Sequence, residues 1–255
     1  MRIDARRASF GAIAVVFATV FVRLGIWQLH RLAERRASNA RIAAQLARPP
    51  LRVPAYAQGG SGPWPDADSV GWRRVELRGA YDYAHELILG ARAHLGSPGV
   101  ELLTPLRLEG GGAILVNRGW LRAPDGLRPH LEDGRPAGAS AGQDAGSPPA
   151  SVRVRGIALP GERTRRETRV ETFDVSGEPH AALLRLDLKA AAAALPYPIA
   201  PYYVRATDPG PAGPGLRPLA EIELNEGPHL NYAIQWFSFA LISLVGTAAY
   251  LRKTA

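Results

Sequence analysis

The chain predicts an α+β membrane protein: two transmembrane helices flanking an antiparallel β-sheet or barrel-like extracytoplasmic domain. Three observations carry that expectation. Tyr232–Leu251 is an apolar run whose only ionisable side chains are the tyrosines near its two ends. At about 1.5 Å per residue, roughly twenty such residues cover a ~30 Å hydrocarbon core. A second uncharged run, Phe10–Val22, opens the chain and continues as Leu24–Leu29 beyond Arg23. Between the two runs, residues 72–120 alternate apolar and polar side chains in short stretches separated by turn signals.

The first apolar run is basic at its start (Arg2, Arg6, Arg7), as a secretory signal peptide would be. Phe10–Leu29 is longer than a signal core, however, and Trp27, Gln28 and Leu29 make a poor cleavage site. It is read as an uncleaved transmembrane helix over 8–29, with Arg23 late enough to snorkel to the headgroups. Residues 30–48 set Leu32, Ile42 and Leu46 among Arg, Glu, Gln and Asn, which predicts a juxtamembrane helix stopped by Pro49-Pro50. Residues 54–69 are rich in glycine and proline and predict a loop.

An extracytoplasmic β-rich domain is expected over 70–222. WRRVELRGAY, HELILGARA, VELLTPLRL and AILVNRGWL read as strands of an antiparallel meander with one buried face. Residues 124–150 are dominated by glycine and proline and predict a mobile loop. SVRVRGIALP (151–160) and PYYVRAT (201–207) read as strands, 164–170 as an exposed connection, and Leu188–Leu195 as a short helix ended by Pro196. The second span, 232–251, has Tyr232, Trp236 and Tyr250 at positions suited to aromatic belts, followed at once by Arg252 and Lys253.

Composition narrows the function classes. There is no cysteine, which excludes disulfides, thiolate metal sites and cysteine nucleophiles. The net charge of +8 comes from dispersed arginines without a recognition helix or RNA-binding aromatic motif, so nucleic acid is not the expected partner and the lipid bilayer is. The scarcity of lysine and abundance of Ala, Gly, Pro and Arg suggest a GC-rich bacterial genome. No S-x-x-K or H-E-x-x-H string supports a hydrolase, although scattered carboxylates leave an envelope hydrolase as a minor alternative. Topology carries a conflict: Arg2, Arg6, Arg7, Arg252 and Lys253 favour cytoplasmic ends, whereas Arg31, Arg35, Arg36, Arg41 and Arg48 favour the reverse. Loops longer than about 60 residues translocate largely regardless of charge, which tips the reading towards cytoplasmic termini.

Four strings, in order, carry a family resemblance: LGIWQLHR (24–31), GAYDYAHELILGARAHLGSPGVELLTPL (79–106), VNRGW (116–120) and HLNYAIQWFSFA (229–240). Together with the two-anchor plan they resemble the surfeit-locus family of cytochrome c oxidase assembly factors over nearly the whole chain. That resemblance implies a non-enzymatic factor acting on the catalytic subunit of haem-copper oxidase at or before haem a insertion. It also implies contact with the haem a synthesis machinery, and a central domain in the periplasm of a bacterium, outside the inner (cell) membrane.

The resemblance singles out His229 as an axial ligand to haem iron, a role that suits neutral imidazole. On its own residues His229 reads first as an interfacial polar group, and only the resemblance puts the ligand reading ahead. Tyr232 and Trp236 share a helical face with it and either stack a porphyrin or pack as a belt. Arg31 either pairs with haem propionates or snorkels to phosphate, and His30 is a candidate second ligand. Gln235, inside the span, is expected to find a partner across the helices, with Gln28 the candidate. Asn117, Arg118 and Trp120 are read either as a contact surface for the oxidase subunit or as internal support, Arg118 holding a carboxylate. A scaffold that stabilises the subunit without touching haem is the principal alternative function.

Overall fold

A computed structural model describes residues 5–53, 64–108, 112–139, 151–162, 168–175 and 178–253. The chain forms two compact units, one from its two ends (Met1–Ala44 with Ile222–Ala255) and one from Gln45–Glu221.

The first unit is a helix pair. Helix α1, Ala5–Leu46, runs unbroken through both the 8–29 span and the 30–48 juxtamembrane segment. Helix α4, His229–Lys253, begins where Pro228 accepts the first helical hydrogen bond, from the Tyr232 N–H at 3.1 Å. Arg252 and Lys253 lie in its last turn, where cations complement the helix dipole. Both helices are long and apolar enough to cross a membrane, and only 17% and 6% of their apolar windows are buried. A soluble core helix would hide most of that surface, so the two exposed apolar faces suit a lipid solvent.

The pair has a recognisable seam. Between Gly11 and Leu32 the buried or half-buried residues of α1 are Gly11, Ala14, Ala18, Phe21, Leu24, Gly25, Gln28 and Leu32, and all but Leu24 fall on a row spaced alternately three and four apart, as in a heptad. As α1 advances by seven residues its partner on α4 retreats by seven: Ser243 donates to the Ala14 carbonyl at 3.3 Å, and Phe21 stacks on Trp236 at 5.7 Å. The next such pair joins Gln28 and His229 at 2.8 Å. Small residues let the backbones approach closely. A Cβ on Gly25 would stand 2.7 Å from the Phe237 ring, so the aromatic ring occupies the space glycine vacates.

Among the described residues the second unit is built on nine strands: β1 (Leu51–Arg52), β2 (Arg74–Tyr81), β3 (Leu87–His94), β4 (Ser97–Leu108), β5 (Ala113–Arg122), β6 (Val152–Leu159), β7 (Glu171–Val175), β8 (Glu178–Leu183) and β9 (Ile199–Asp208). Two short helices, α2 (Ala67–Val70) and α3 (Leu188–Ala193), accompany them. The sheet order is β1-β2-β6-β9-β5-β4-β3-β8-β7. The expectation of an antiparallel sheet or barrel is corrected here: this is a mixed sheet, in which β1–β2, β3–β8 and β5–β9 run parallel. The antiparallel pairing of the meander β3–β4–β5 is as expected, but the single buried face is not: Leu102–Leu106 of β4 and Ala113–Leu121 of β5 are buried without alternation, so both faces of these central strands are covered. The chain then leaves the sheet and returns at both flanks of that meander, and alternation cannot report which strand a later one joins.

Glycine marks one close approach. Residues Gly79–Tyr81 of β2 also pair with Leu106–Leu108 at the end of β4, and a Cβ on Gly79 would collide with the Arg107 carbonyl. Three apolar clusters pack against the sheet, centred on Leu77, Ile114 and Tyr202, on Leu102 and Leu121, and on Leu89, Leu103 and Leu115.

Two local differences from the sequence reading have physical causes. Residues Glu171–Val175 and Glu178–Leu183 form the paired strands β7 and β8, although Glu171, Asp174, Glu178 and Pro179 give the stretch little strand character; the strands are stabilised by pairing with each other and by β8 pairing with β3. Within the stretch expected as a mobile loop, residues 124–139 are built into the domain: Leu131 is 1% exposed and Arg135 7%. The remainder of that loop, 140–150, lies outside the described residues, as do 54–63 of the first loop and 164–167 of the expected exposed connection.

Candidate functional site

The string VNRGW occupies β5 and shapes a buried polar network. Leu102 of β4 faces Gly119 and Leu103 faces Asn117, so Arg118 is an extra residue without an opposite number, a β-bulge. Gly119 holds φ at +146°, and a Cβ there would meet the Arg217 carbonyl, which receives the Trp120 N–H at 2.8 Å. The bulge turns the Arg118 guanidinium inwards. It donates to Glu86 Oε1 at 3.1 Å and to the Gly134 carbonyl at 2.9 Å, and lies 5.1 Å from the ring centres of both Tyr81 and Tyr83.

Glu86 is the centre of this network and is 1% exposed. Its Oε1 also accepts from Thr104 Oγ1, and its Oε2 from Arg135 Nε at 3.3 Å. His180 Nδ1 donates to the Glu86 carbonyl at 3.0 Å. Two arginines thus neutralise one carboxylate inside the fold, the arrangement needed to keep a buried charge from being prohibitively costly. Burial pushes the Tyr81 hydroxyl far above its usual pKa despite the opposing Arg118 charge, so it stays a neutral partner in this core. Asn117 donates to Glu101 at 2.6 Å, and Trp120 lies against His94 with ring centres 5.2 Å apart. All three residues read as candidate partner contacts therefore turn their side chains to neighbours within the domain, and Arg118, 1% exposed, presents none of its surface outside it.

A second polar cluster lies at the edge of the same domain. Asp82 Oδ2 accepts from His85 Nδ1 at 2.9 Å and from the Tyr197 hydroxyl at 2.7 Å. Burial alone would raise the Asp82 pKa, but those two donors outweigh it and hold the carboxyl below its usual range.

The helix pair holds the remaining candidates. His229 is half-buried at the first residue of α4, and its Nδ1 donates to Gln28 Oε1 at 2.8 Å. Its Nε2 has no hydrogen-bond partner among the described residues. Gly227, at φ +72°, runs beside that edge: a Cβ there would lie 3.5 Å from His229 Cδ2 and 3.6 Å from Nε2. Tyr232, one turn along, is 46% exposed. Trp236 is stacked in the seam on Phe21 and meets Phe239 edge-on at 5.9 Å. Arg31 is paired with Glu34 at 2.6 Å on the exposed side of α1. Gln235 is exposed, and the partner expected for it, Gln28, belongs to His229 instead.

Just before α4 the chain is clamped to α1. Arg36 binds both oxygens of Glu226 at 2.8 Å, while Arg35 and Asn39 donate to the Asn225 carbonyl at 3.2 and 2.9 Å. Sequence reasoning missed these partners, and it missed Glu86 and Arg135. The arginines at 35 and 36 were visible as charge, but nothing in their spacing names a partner 190 residues away.

The arrangement can offer one imidazole nitrogen from a hydrogen-bonded ring, beside a half-exposed tyrosine and a glycine that leaves room. A donor set of one imidazole fits an iron porphyrin, which brings four nitrogens of its own, and does not fit a bare zinc ion. Among the described residues no group of three or more His, Asp or Glu side chains forms a metal centre.

The sequence model described as the SURF1 family matches residues 15–241. An uncharacterized SURF1-like protein of Mycobacterium tuberculosis is 26% identical over 238 residues, covering 92% of this chain and 80% of the relative. A SURF1-like protein of Rickettsia felis is 25% identical over 248 residues, covering 94% of this chain and 96% of the relative. The cytochrome oxidase assembly protein SHY1 of Saccharomyces cerevisiae is 30% identical over 139 residues, 50% of this chain and 34% of the yeast protein. With the family's match running from within α1, through the sheet domain and into α4, this chain belongs to the SURF1 family.

Proposed function

We propose that this protein is a non-enzymatic assembly factor for haem-copper cytochrome c oxidase that holds haem a for insertion into the catalytic subunit, with His229 as the iron ligand. Family membership and the yeast relative's role, as its name states it, support the assembly reading. The observation that carries the haem reading is the state of His229: one ring nitrogen is tied to Gln28 and the other has no partner among the described residues. A neutral imidazole nitrogen is a strong axial ligand for haem iron.

In this reading α1 and α4 cross the bacterial inner membrane with both termini cytoplasmic, and the sheet domain is periplasmic and docks the oxidase subunit. His229 then lies at the outer end of the spans, where the apolar macrocycle meets lipid-facing side chains and its propionates meet water. Tyr232 would flank the ring, and Arg31 would exchange Glu34 for a propionate. The haem a synthesis machinery is the natural source of the cargo. Because His229 would be the one protein ligand to the iron of a cargo that must later leave, moderate affinity is expected.

One observation favours a second reading, a scaffold without haem contact. Trp236 and Arg31, two of the expected haem contacts, are already engaged by Phe21 and Glu34. Co-expression with a haem a synthesis pathway separates the two readings. The carrier reading expects a haem a absorption spectrum in the detergent-purified protein that is lost in His229→Ala. A colourless wild type that still restores oxidase in a strain lacking its own family member would establish the scaffold.

A further inference from the structure

We propose that Gln28 is the positioning residue for His229, selecting the tautomer that offers Nε2 as the metal-ligating atom. This rests on the carrier reading for its purpose, but not for its geometry. Imidazole in water prefers to carry its proton on Nε2, which would leave Nδ1, the nitrogen nearer the backbone, as the lone-pair atom. In the helix pair His229 Nδ1 stands 2.8 Å from Gln28 Oε1, and a carbonyl oxygen can only accept. The proton is therefore held on Nδ1 and the lone pair on Nε2.

Three further features act on the same atom. Gln28 lies on the heptad seam of α1, one position in the row Ala14, Ala18, Phe21, Gly25, Gln28, Leu32, so helix packing limits the directions its amide can take. The Arg36–Glu226 pair and the two bonds to the Asn225 carbonyl hold the start of α4 against α1, which fixes the axial register of His229 on Gln28. Gly227 lines the Nε2 edge without a side chain, so that edge stays open to an incoming iron. A hydrogen bond that orients a histidine ligand and raises its basicity characteristically changes metal affinity 10- to 100-fold on removal, about the range expected for Gln28.

The test reads the tautomer directly and does not require haem. Wild type, Gln28→Leu and Gln28→Glu are purified in detergent with ¹⁵N-labelled histidine, and spectra are recorded at a pH where the imidazole is neutral. The His229 signals are assigned by their loss in His229→Gln. Wild type is expected to show a protonated Nδ1 and a bare Nε2; Gln28→Leu should reverse that pattern, and Gln28→Glu, which keeps an acceptor at the same reach, should retain it. Haem a titration of the same proteins should show binding weakened about 10- to 100-fold in Gln28→Leu and recovered in Gln28→Glu. A wild type protonated on Nε2, or a Gln28→Leu spectrum identical to wild type, would overturn the proposal. Haem a binding equal in Gln28→Leu and wild type would overturn its link to ligation. A wild type with the expected tautomer that binds no haem a would instead count against the carrier reading and leave the positioning role standing.

Discussion

The sheet domain and the helix pair each hold a polar group in apolar surroundings, and they treat it in opposite ways. In the sheet domain both oxygens of Glu86 are engaged, by Thr104, Arg118 and Arg135, and the group is closed off from water. In the helix pair His229 has one nitrogen satisfied and the other open, on a ring only half-buried. A carboxylate saturated by its own fold is structural, because any exchange of partners would leave a buried charge alone. An imidazole with one satisfied and one open nitrogen is held in place yet has an atom to give. The contrast makes the sheet domain's network structural, and it is the ground on which the carrier reading puts ligand chemistry in the helix pair.

Substitutions should separate along that line. Arg118→Met removes a guanidinium from the buried carboxylate and should cost about 3–5 kcal/mol, read as a large fall in the denaturation midpoint of the sheet domain. Next in size, Gly79→Val forces a branched side chain against the Arg107 backbone where β2 meets β4; about 1–3 kcal/mol of destabilisation is expected in the same assay.

Tyr197→Phe tests the polar cluster at the domain's edge. Loss of its hydrogen bond to ionised Asp82 should cost about 1.5 kcal/mol at neutral pH. The Asp82 pKa is depressed in the folded state, so this contribution is full above the ordinary carboxylate value of about 3.9 and is lost as pH falls through it towards the folded value. The gap between wild type and Tyr197→Phe should therefore narrow in acid, and a gap independent of pH would assign the effect to packing. Gln28→Leu should have the smallest effect on stability, about 0.6 kcal/mol, as is usual for a hydrogen bond between membrane helices. A loss as large as that of Arg118→Met would erase the distinction between the two regions.

The sequence exposed these two regions unequally. The spans were plain because hydrocarbon thickness is a length that twenty apolar residues must match. The strands around 72–120 showed through their period of two, but which of them were parallel did not, since pairing partners such as Ala113 and Ile199 are far apart in the chain. The string VNRGW stands out through the family resemblance, while its cause, a bulge that aims Arg118 at Glu86, depends on register across β4 and β5. His229 could be picked out by a resemblance, yet Gln28 was matched to Gln235 because both are amides at membrane depth. The heptad spacing from Ala14 to Leu32 was the available signal that would have put Gln28 in the seam, opposite the start of α4.

The most direct test of the central claim is made in a bacterium lacking its own family member, supplied with either the wild-type protein or His229→Ala at equal abundance in the membrane. The measured quantity is the haem a absorbance of the oxidase that assembles. The account predicts that the variant accumulates and folds as wild type does, yet restores far less haem a-containing oxidase. Restoration by His229→Ala equal to wild type would contradict it and move the function from the helix pair to the sheet domain.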